Sequence, residues 1–183
     1  MAFLKSKRDL AYLLAIALLC CLCAGLFYHG RYNPAQDISV YYNQEHALNK
    51  EIISQIKDAD KFVYFAVYTF TRSDIKQALL AAKYRGLTVV GLTDRQQYEG
   101  TDLQKDIVDE LRQNGIPVYE QDHSGIMHLK VLVTDKAYAS GSYNWTSAAT
   151  NLNDEVLEVG RNPRLRQNYQ DILEALFKQY GET

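Results

Sequence analysis

Beyond Cys23 the chain has no cysteine, the three it contains being Cys20, Cys21 and Cys23. A disulfide framework and a cysteine-based zinc site are therefore excluded from everything that follows. A unit of ~150 residues needs neither, because it can bury enough apolar surface to hold itself together. Excess positive charge is also missing. Twenty Lys and Arg face 22 Asp and Glu, for a net charge of −2. Lys5, Lys7 and Arg8 against Asp9 make the first 28 residues +2, which leaves −4 for the rest. A dedicated duplex-DNA binder is usually basic. A polyanion bound here would depend on a local basic patch or on dimerisation. Internal repeats and low-complexity tracts are absent too, which excludes solenoids and arrays.

One long uncharged run is present. Leu10 to Phe27 carries no charge and follows Lys5, Lys7 and Arg8. At ~1.5 Å per residue it reaches roughly 27 Å, close to the ~30 Å hydrocarbon core of a bilayer. A buried soluble helix usually keeps a polar face, and this one does not. It lacks a good small-residue cleavage site, Cys23-Ala24-Gly25 being the nearest, and no small residue precedes a cysteine as a lipoprotein would want. The expectation is a basic cytoplasmic flank (1–8), a signal anchor or transmembrane helix (9–28), a linker (29–37) and an extracytoplasmic domain (38–183). The alternative is secretion after signal cleavage.

From residue 38 the pattern alternates between strand and helix. Strands are expected at Ile38–Tyr42, Phe62–Tyr68, Leu87–Leu92, Ile116–Tyr119, Leu129–Thr134, Ala137–Ser140 and Glu155–Val159. Helices are expected from Asn49 to Lys57, Ser73 to Tyr84, Thr101 to Gln113 and Leu165 to Tyr180. Asn49 is read as a cap, and Thr101 with Gln104 as a capping box. Gly86 and Gly115 stop their helices. The fold class is α/β (α+β), a mixed β-sheet flanked by helices and preceded by one N-terminal hydrophobic helix.

Chemistry concentrates between His128 and Glu155. His128 and Lys130 stand two apart on an expected strand and so share a face. Ser142 and Asn144 repeat that spacing, and Glu155 opens a third strand. Neutral imidazole is a nucleophile, and lysine neutralises an anion. Hydroxyl and amide groups donate to anionic oxygens, and a carboxylate can hold the second imidazole nitrogen. The set suits attack on a phosphoester without metal, because Lys, Ser and Asn are not usual zinc ligands.

These residues carry a resemblance. His128, Lys130 and Asp135, followed by Gly141, Ser142 and Asn144 and then by Glu155, resemble the HKD signature of the phospholipase D superfamily. Ala66, Tyr68, Phe70 and Thr71, then Ile75, Ala78, Leu79, Ala82, Arg85 and Gly86, are similar to its first helical repeat. The resemblance spans roughly residues 38–181 and is greatest to small single-motif bacterial endonucleases. It implies a phospholipase D-like fold, with His128 attacking phosphorus to form a phosphohistidine. It implies that Lys130 and Asn144 hold phosphoryl oxygens with help from Ser142, and that Glu155 orients His128. Asp135 and Gly141 would serve the local fold. Family sites use two motifs and one is present here, so the resemblance implies a homodimer with a shared site.

Three functions are open. The first is a metal-independent endonuclease acting on DNA or RNA, with no cofactor. The second is a phospholipase D-type lipid hydrolase acting on phospholipid, and the third a non-catalytic binding module. His123 is a loop histidine that could touch substrate. Tyr143 and Trp145 flank Asn144 and would either stack bases at the rim or pack a dimer seam. Asp94 reads as a strand-end cap and Glu158 as solvated.

Overall fold

The computed structural model describes residues 7–31 and 38–181, in two units that divide between Gln36 and Asp37. The first holds a single helix, α1 (Lys7–Arg31). Its side chains from Leu10 to Gly25 are exposed. Among the described residues no helix is long and apolar enough to cross a membrane, which corrects the expected anchor. Its uncharged run, Leu10 to Phe27, reaches roughly 27 Å and falls short of the ~30 Å hydrocarbon core. The membrane-anchored placement of the second unit rested on that segment and falls with it. His29, Gly30 and Arg31, read as linker, continue the helix. The rest of the expected linker and residues 1–6 lie outside the described residues.

The second unit contains β1 (Ile38–Tyr42), α2 (Leu48–Asp58), β2 (Phe62–Val67), α3 (Ser73–Tyr84), β3 (Thr88–Asp94), α4 (Arg95–Gly100) and α5 (Asp102–Gln113). These are followed by β4 (Val118–Gln121), β5 (Lys130–Thr134), β6 (Tyr138–Gly141), α6 (Ser147–Asn151), β7 (Val156–Gly160) and α7 (Pro163–Gly181). The strands form one sheet in the order β1-β7-β6-β5-β2-β3-β4. β2, β3 and β4 run parallel, and every other pairing is antiparallel.

Parallel neighbours need crossovers, and α3 and α5 supply them. Each has an apolar stripe at helical spacing. Ile75, Ala78, Leu79 and Ala82 line α3, and Ile107, Val108 and Leu111 line α5. With α2 they bury one face of the sheet around Phe65, Leu132 and Val159. α7 covers part of the other face, where Leu173 packs with Ala66, Leu92, Val131 and Val133. The mixed sheet between helices is thus as expected. Gly86 (φ 91°) and Gly115 (φ 75°) follow α3 and α5 in the left-handed conformation that releases the chain from a helix.

Two short helices were not anticipated, because α4 and α6 are too brief to show a period. α4 is capped by Asp94, whose carboxylate accepts the Gln97 N–H at 3.0 Å. α6 is capped by Thr146, which accepts the Ala149 N–H at 3.0 Å. Two expected caps fail. Thr101 precedes α5 but makes no side-chain cap, and Gln104 turns into the core instead. Asn49 lies inside α2 and donates to Asp74 at 2.7 Å.

Asp74 joins two helices chemically. Arg72 donates to both its oxygens, at 2.8 and 2.7 Å. That guanidinium holds the Asp74 carboxyl at about 2, below the ordinary 3.8; burial opposes the shift, and Asn49 and the Ile75 amide assist it. A carboxyl whose folded pKa is depressed adds stability above its unfolded pKa and loses it as pH falls through the folded value. Stability should therefore decline between pH ~4 and ~2 partly through this group. Urea midpoints across that window should fall less steeply for Asp74→Asn than for the wild type. Equal slopes would show that Asp74 does not contribute.

Candidate active site

Antiparallel pairing assembles the site. β2 and β6 end where β5 and β7 begin, so four chain segments meet at one end of the sheet. The register places Val67 opposite Lys130, Val131 opposite Ser140 and Gly141 opposite Leu157. Directly paired residues share a face, as do residues two apart along a strand. Lys130 and Glu155 consequently point to the same side, although β6 lies between their strands.

Both are buried, each about 7% exposed. The Lys130 ammonium donates to the His128 carbonyl at 2.8 Å and lies 5.2 Å from the centre of the Tyr68 ring. Burial lowers its pKa, and the Glu155 charge opposes that shift. The Glu155 carboxylate accepts a short hydrogen bond from the Ser142 hydroxyl and another from Asn153 at 3.3 Å. Its main chain is clamped by Asn43, whose side-chain oxygen accepts the Glu155 N–H at 3.0 Å. The Asn43 N–H donates back to the Glu155 carbonyl at 3.1 Å.

His128 is exposed and lies just before β5 rather than within it. Its ring stands edge-on to Tyr68 at 4.9 Å. The expectation that Glu155 orients His128 is not met by direct contact, because the carboxylate is engaged by Ser142 and Asn153. Asn144 sits where β2 has just ended, and its side-chain oxygen accepts the Thr69 N–H at 3.2 Å. With the oxygen committed, the amide NH₂ is the edge left to donate. Ser142 closes β6 onto β7. Its N–H reaches the Val156 carbonyl at 3.1 Å, and its hydroxyl accepts the Val156 N–H at 3.2 Å. Gly141 must lack a side chain, because a Cβ there would lie 2.2 Å from the Val156 carbonyl oxygen.

The remaining expected residues lie elsewhere. Asp135 stands beyond the far end of β5, roughly 23 Å along the chain from His128 at ~3.3 Å per residue. It accepts the Asp60 and Lys61 amides at 3.0 and 3.1 Å, anchoring the loop into β2. Burial works to raise its pKa, but those amides, its own N–H and Lys136 prevail, and the net shift is downward. His123 is exposed, and its Nδ1 accepts the Gly125 N–H at 2.9 Å within its own loop.

Tyr143 and Trp145 are each 1% exposed, so a base-stacking rim is ruled out for both. Trp145 packs on Phe65 and Phe70, and the Tyr143 hydroxyl meets Thr150 Oγ1 at 2.7 Å. Extended chain alternates its side chains, so two buried aromatics hold Asn144 outward between them. Glu158 is not free in solvent either, since it accepts from Tyr138 at 2.6 Å.

Four supports of the site were not anticipated. They are Asn43, Tyr68, Gln97 and Gln104. Gln104 bonds Phe70 N–H at 2.9 Å, the Tyr68 carbonyl at 3.2 Å and the Thr93 hydroxyl at 2.8 Å. Its signal was available: it continues the Ile107, Val108, Leu111 stripe, and a glutamine on an apolar stripe wants buried partners.

Residues 52–177 match the family described as "Cardiolipin synthase, PLD-like domain". The chain belongs to the phospholipase D superfamily. It is 31% identical over 135 residues to the phospholipase D of Rickettsia typhi, covering 73% of this chain and 65% of the relative. It is 28% identical over 131 residues to the mitochondrial cardiolipin hydrolase of Chlamydomonas reinhardtii, covering 70% and 56%. The chain thus spans a little over half to two thirds of the length of these relatives. Among solved structures it is similar to Nuc, a phospholipase D family member from Salmonella typhimurium. Identity there is 28% and the TM-score 0.73, covering 78% of this chain and 95% of Nuc.

Within this superfamily member, Lys130 and Asp135 should separate chemistry from stability. A buried ammonium costs desolvation, and an apolar side chain of similar length does not. Lys130→Met sheds that cost but leaves buried Glu155 without its nearby cation, so its thermal midpoint should stay near the wild-type value while phosphodiester turnover falls about 10²–10³-fold. Asp135→Ala should do the reverse, losing about 1–2 kcal/mol of stability with turnover nearly intact. A marked drop in midpoint for Lys130→Met would make that lysine structural.

Proposed function

We propose that the chain is a metal-independent phosphodiesterase that cleaves nucleic acid through a phosphohistidine intermediate at a site shared by a homodimer. The observation that carries this is the buried Lys130 beneath the exposed His128, beside an outward Asn144. An exposed nucleophile can be reached by a long polymer. Lys130 and the Asn144 amide stand ready to meet charge on the phosphoryl oxygens. His128 would attack phosphorus, forming a P–N bond as the P–O bond to the leaving alcohol breaks. Water would then hydrolyse the phosphohistidine.

The leaving alcohol needs a proton, and the structure motivates the dimer there. Among the described residues, no second histidine contacts His128. His123 turns back on its own loop, and His46 stands edge-on to Tyr41. A second copy of His128 would supply the acid. The match to almost the whole length of Nuc supports a compact enzyme of this kind.

A second reading is a lipid phosphodiesterase. The names phospholipase D and cardiolipin hydrolase among the relatives favour it. So do the exposed Ile126 and Leu129 on either side of His128 in sequence.

Incubating the full chain with labelled DNA, labelled RNA and phospholipid vesicles, with and without chelator, separates the readings. Cleavage of nucleic acid that survives chelator is expected. Cleavage of phospholipid alone would establish the second reading. Activity lost to chelator and restored by magnesium or zinc would overturn the mechanism. Mixed dimers of wild type and His128→Asn should be nearly inactive; retention of half the wild-type rate would show that each chain works alone.

A further inference from the structure

His128 presents a problem that its own contacts do not solve. It is exposed, and among the described residues its imidazole makes no hydrogen bond. A nucleophile that must meet phosphorus in line cannot be left to sample its rotamers, since a misplacement of about 1 Å can cost roughly 10²-fold in rate. The contact that the imidazole does make is with Tyr68, edge to ring at 4.9 Å. The same ring lies beneath the Lys130 ammonium, 5.2 Å from its centre. One aromatic surface therefore touches the two groups whose relative position matters most.

Tyr68 is itself held by three hydrogen bonds. Its N–H donates to the Leu129 carbonyl at 2.9 Å, tying it to the chain between His128 and Lys130. Its carbonyl accepts from Gln104 at 3.2 Å. Its hydroxyl accepts from Gln97 at 3.1 Å, and Gln97 also accepts from the Thr69 hydroxyl at 3.2 Å. Gln97 is fixed in turn, because Asp94 takes its N–H at 3.0 Å at the start of α4. The other oxygen of this fully buried Asp94 takes the Met127 N–H at 2.9 Å, one residue before His128. The short helix and the histidine loop are thus pinned to one carboxylate, and the Tyr68 ring bridges what they position.

We propose that Tyr68 is a positioning residue that fixes the His128 imidazole against the Lys130 ammonium, its backbone held by Leu129 and Gln104, with Gln97 setting only the tilt of its ring. The inference rests on the phosphodiesterase reading for its kinetic consequence but not for its geometry. The ring carries the effect: a face attracts the ammonium and an edge contact restrains the imidazole. The hydroxyl matters less, because it only sets the tilt of the ring.

The test combines a spectroscopic and a kinetic arm on the full chain. With labelled histidine, the His128 ring protons should show nuclear Overhauser contacts to the Tyr68 ring and ring-current-shifted resonances. Tyr68→Phe should keep both, and Tyr68→Leu should return the resonances to those of a freely turning histidine. In steady-state kinetics, Tyr68→Leu should lower kcat by about 10²-fold with KM changed by less than about 3-fold, and Tyr68→Phe should restore kcat to within about 3-fold of wild type.

If the leucine variant does not fold, Tyr68→Met, which keeps the length without the ring, takes its place in both arms. The proposal is overturned if a folded variant lacking the ring turns over like the wild type. It is equally overturned if wild-type His128 shows no contact to Tyr68, or if the phenylalanine variant is as impaired as leucine. A wild-type chain that cleaves neither nucleic acid nor lipid would sink the proposed function instead, and the resonance arm would still decide the role of Tyr68.

Discussion

The site depends on the register of β5. This strand pairs antiparallel on both sides, with Val67 opposite Lys130 and Val131 opposite Ser140. Side chains alternate with period two, so a slip of one residue would send Lys130 to the α7 face. It would also drive Val131 and Val133 out of their cluster with Leu92 and Leu173. Hydrophobic burial thus enforces the placement of a charged residue. β5 is buried along its whole length, which leaves no alternative register of comparable energy.

That placement brings an electrostatic problem, and the surrounding polar network answers it. Lys130 and Glu155 are both withdrawn from water, and unpaired charges there would be costly. Glu155 is met by Ser142 and Asn153, and its backbone by Asn43. Asn43 also donates to the carbonyls of Ala149 and Asn153, at 3.3 and 2.6 Å. A residue just past the first strand therefore organises the chain from α6 to β7. Lys130 keeps donor capacity beyond its bond to the His128 carbonyl, because an ammonium has three hydrogens. A desolvated cation with unused donors favours an anion at the mouth of the site.

Much of this was legible from the residues, and the limits of legibility have physical causes. Ser73–Tyr84 and Phe62–Tyr68 could be read because one has a long apolar period ended by Gly86 and the other is a continuous apolar and aromatic run, which the structure ends one residue earlier, at Val67. α4 and α6 could not, since five or six residues do not complete two turns. Trp145 and Tyr143 were misread because aromatic side chains serve cores and binding surfaces alike, and sequence spacing does not say which way a residue after a strand faces. Gln104 was misread because a glutamine three after a threonine has a local partner in view, and its true partners Phe70, Tyr68 and Thr93 are distant in sequence. The hydrophobic run in α1 shows the same limit, in that composition alone suggested a span.

By itself the sequence determined the alternation of strands and helices, through apolar periodicity and helix-stopping glycines. It also singled out His128, Lys130, Ser142, Asn144 and Glu155 as candidates, through their residue types and spacing. The tertiary structure decided what those residues touch. Glu155 turns to Ser142 and Asn153 rather than His128, Asp135 anchors a distant loop, and Tyr68 lies between His128 and Lys130. Local pattern reports which face of its own element a side chain occupies. The partner across that face is set by sheet order and register, which are decided by the burial of the whole chain at once.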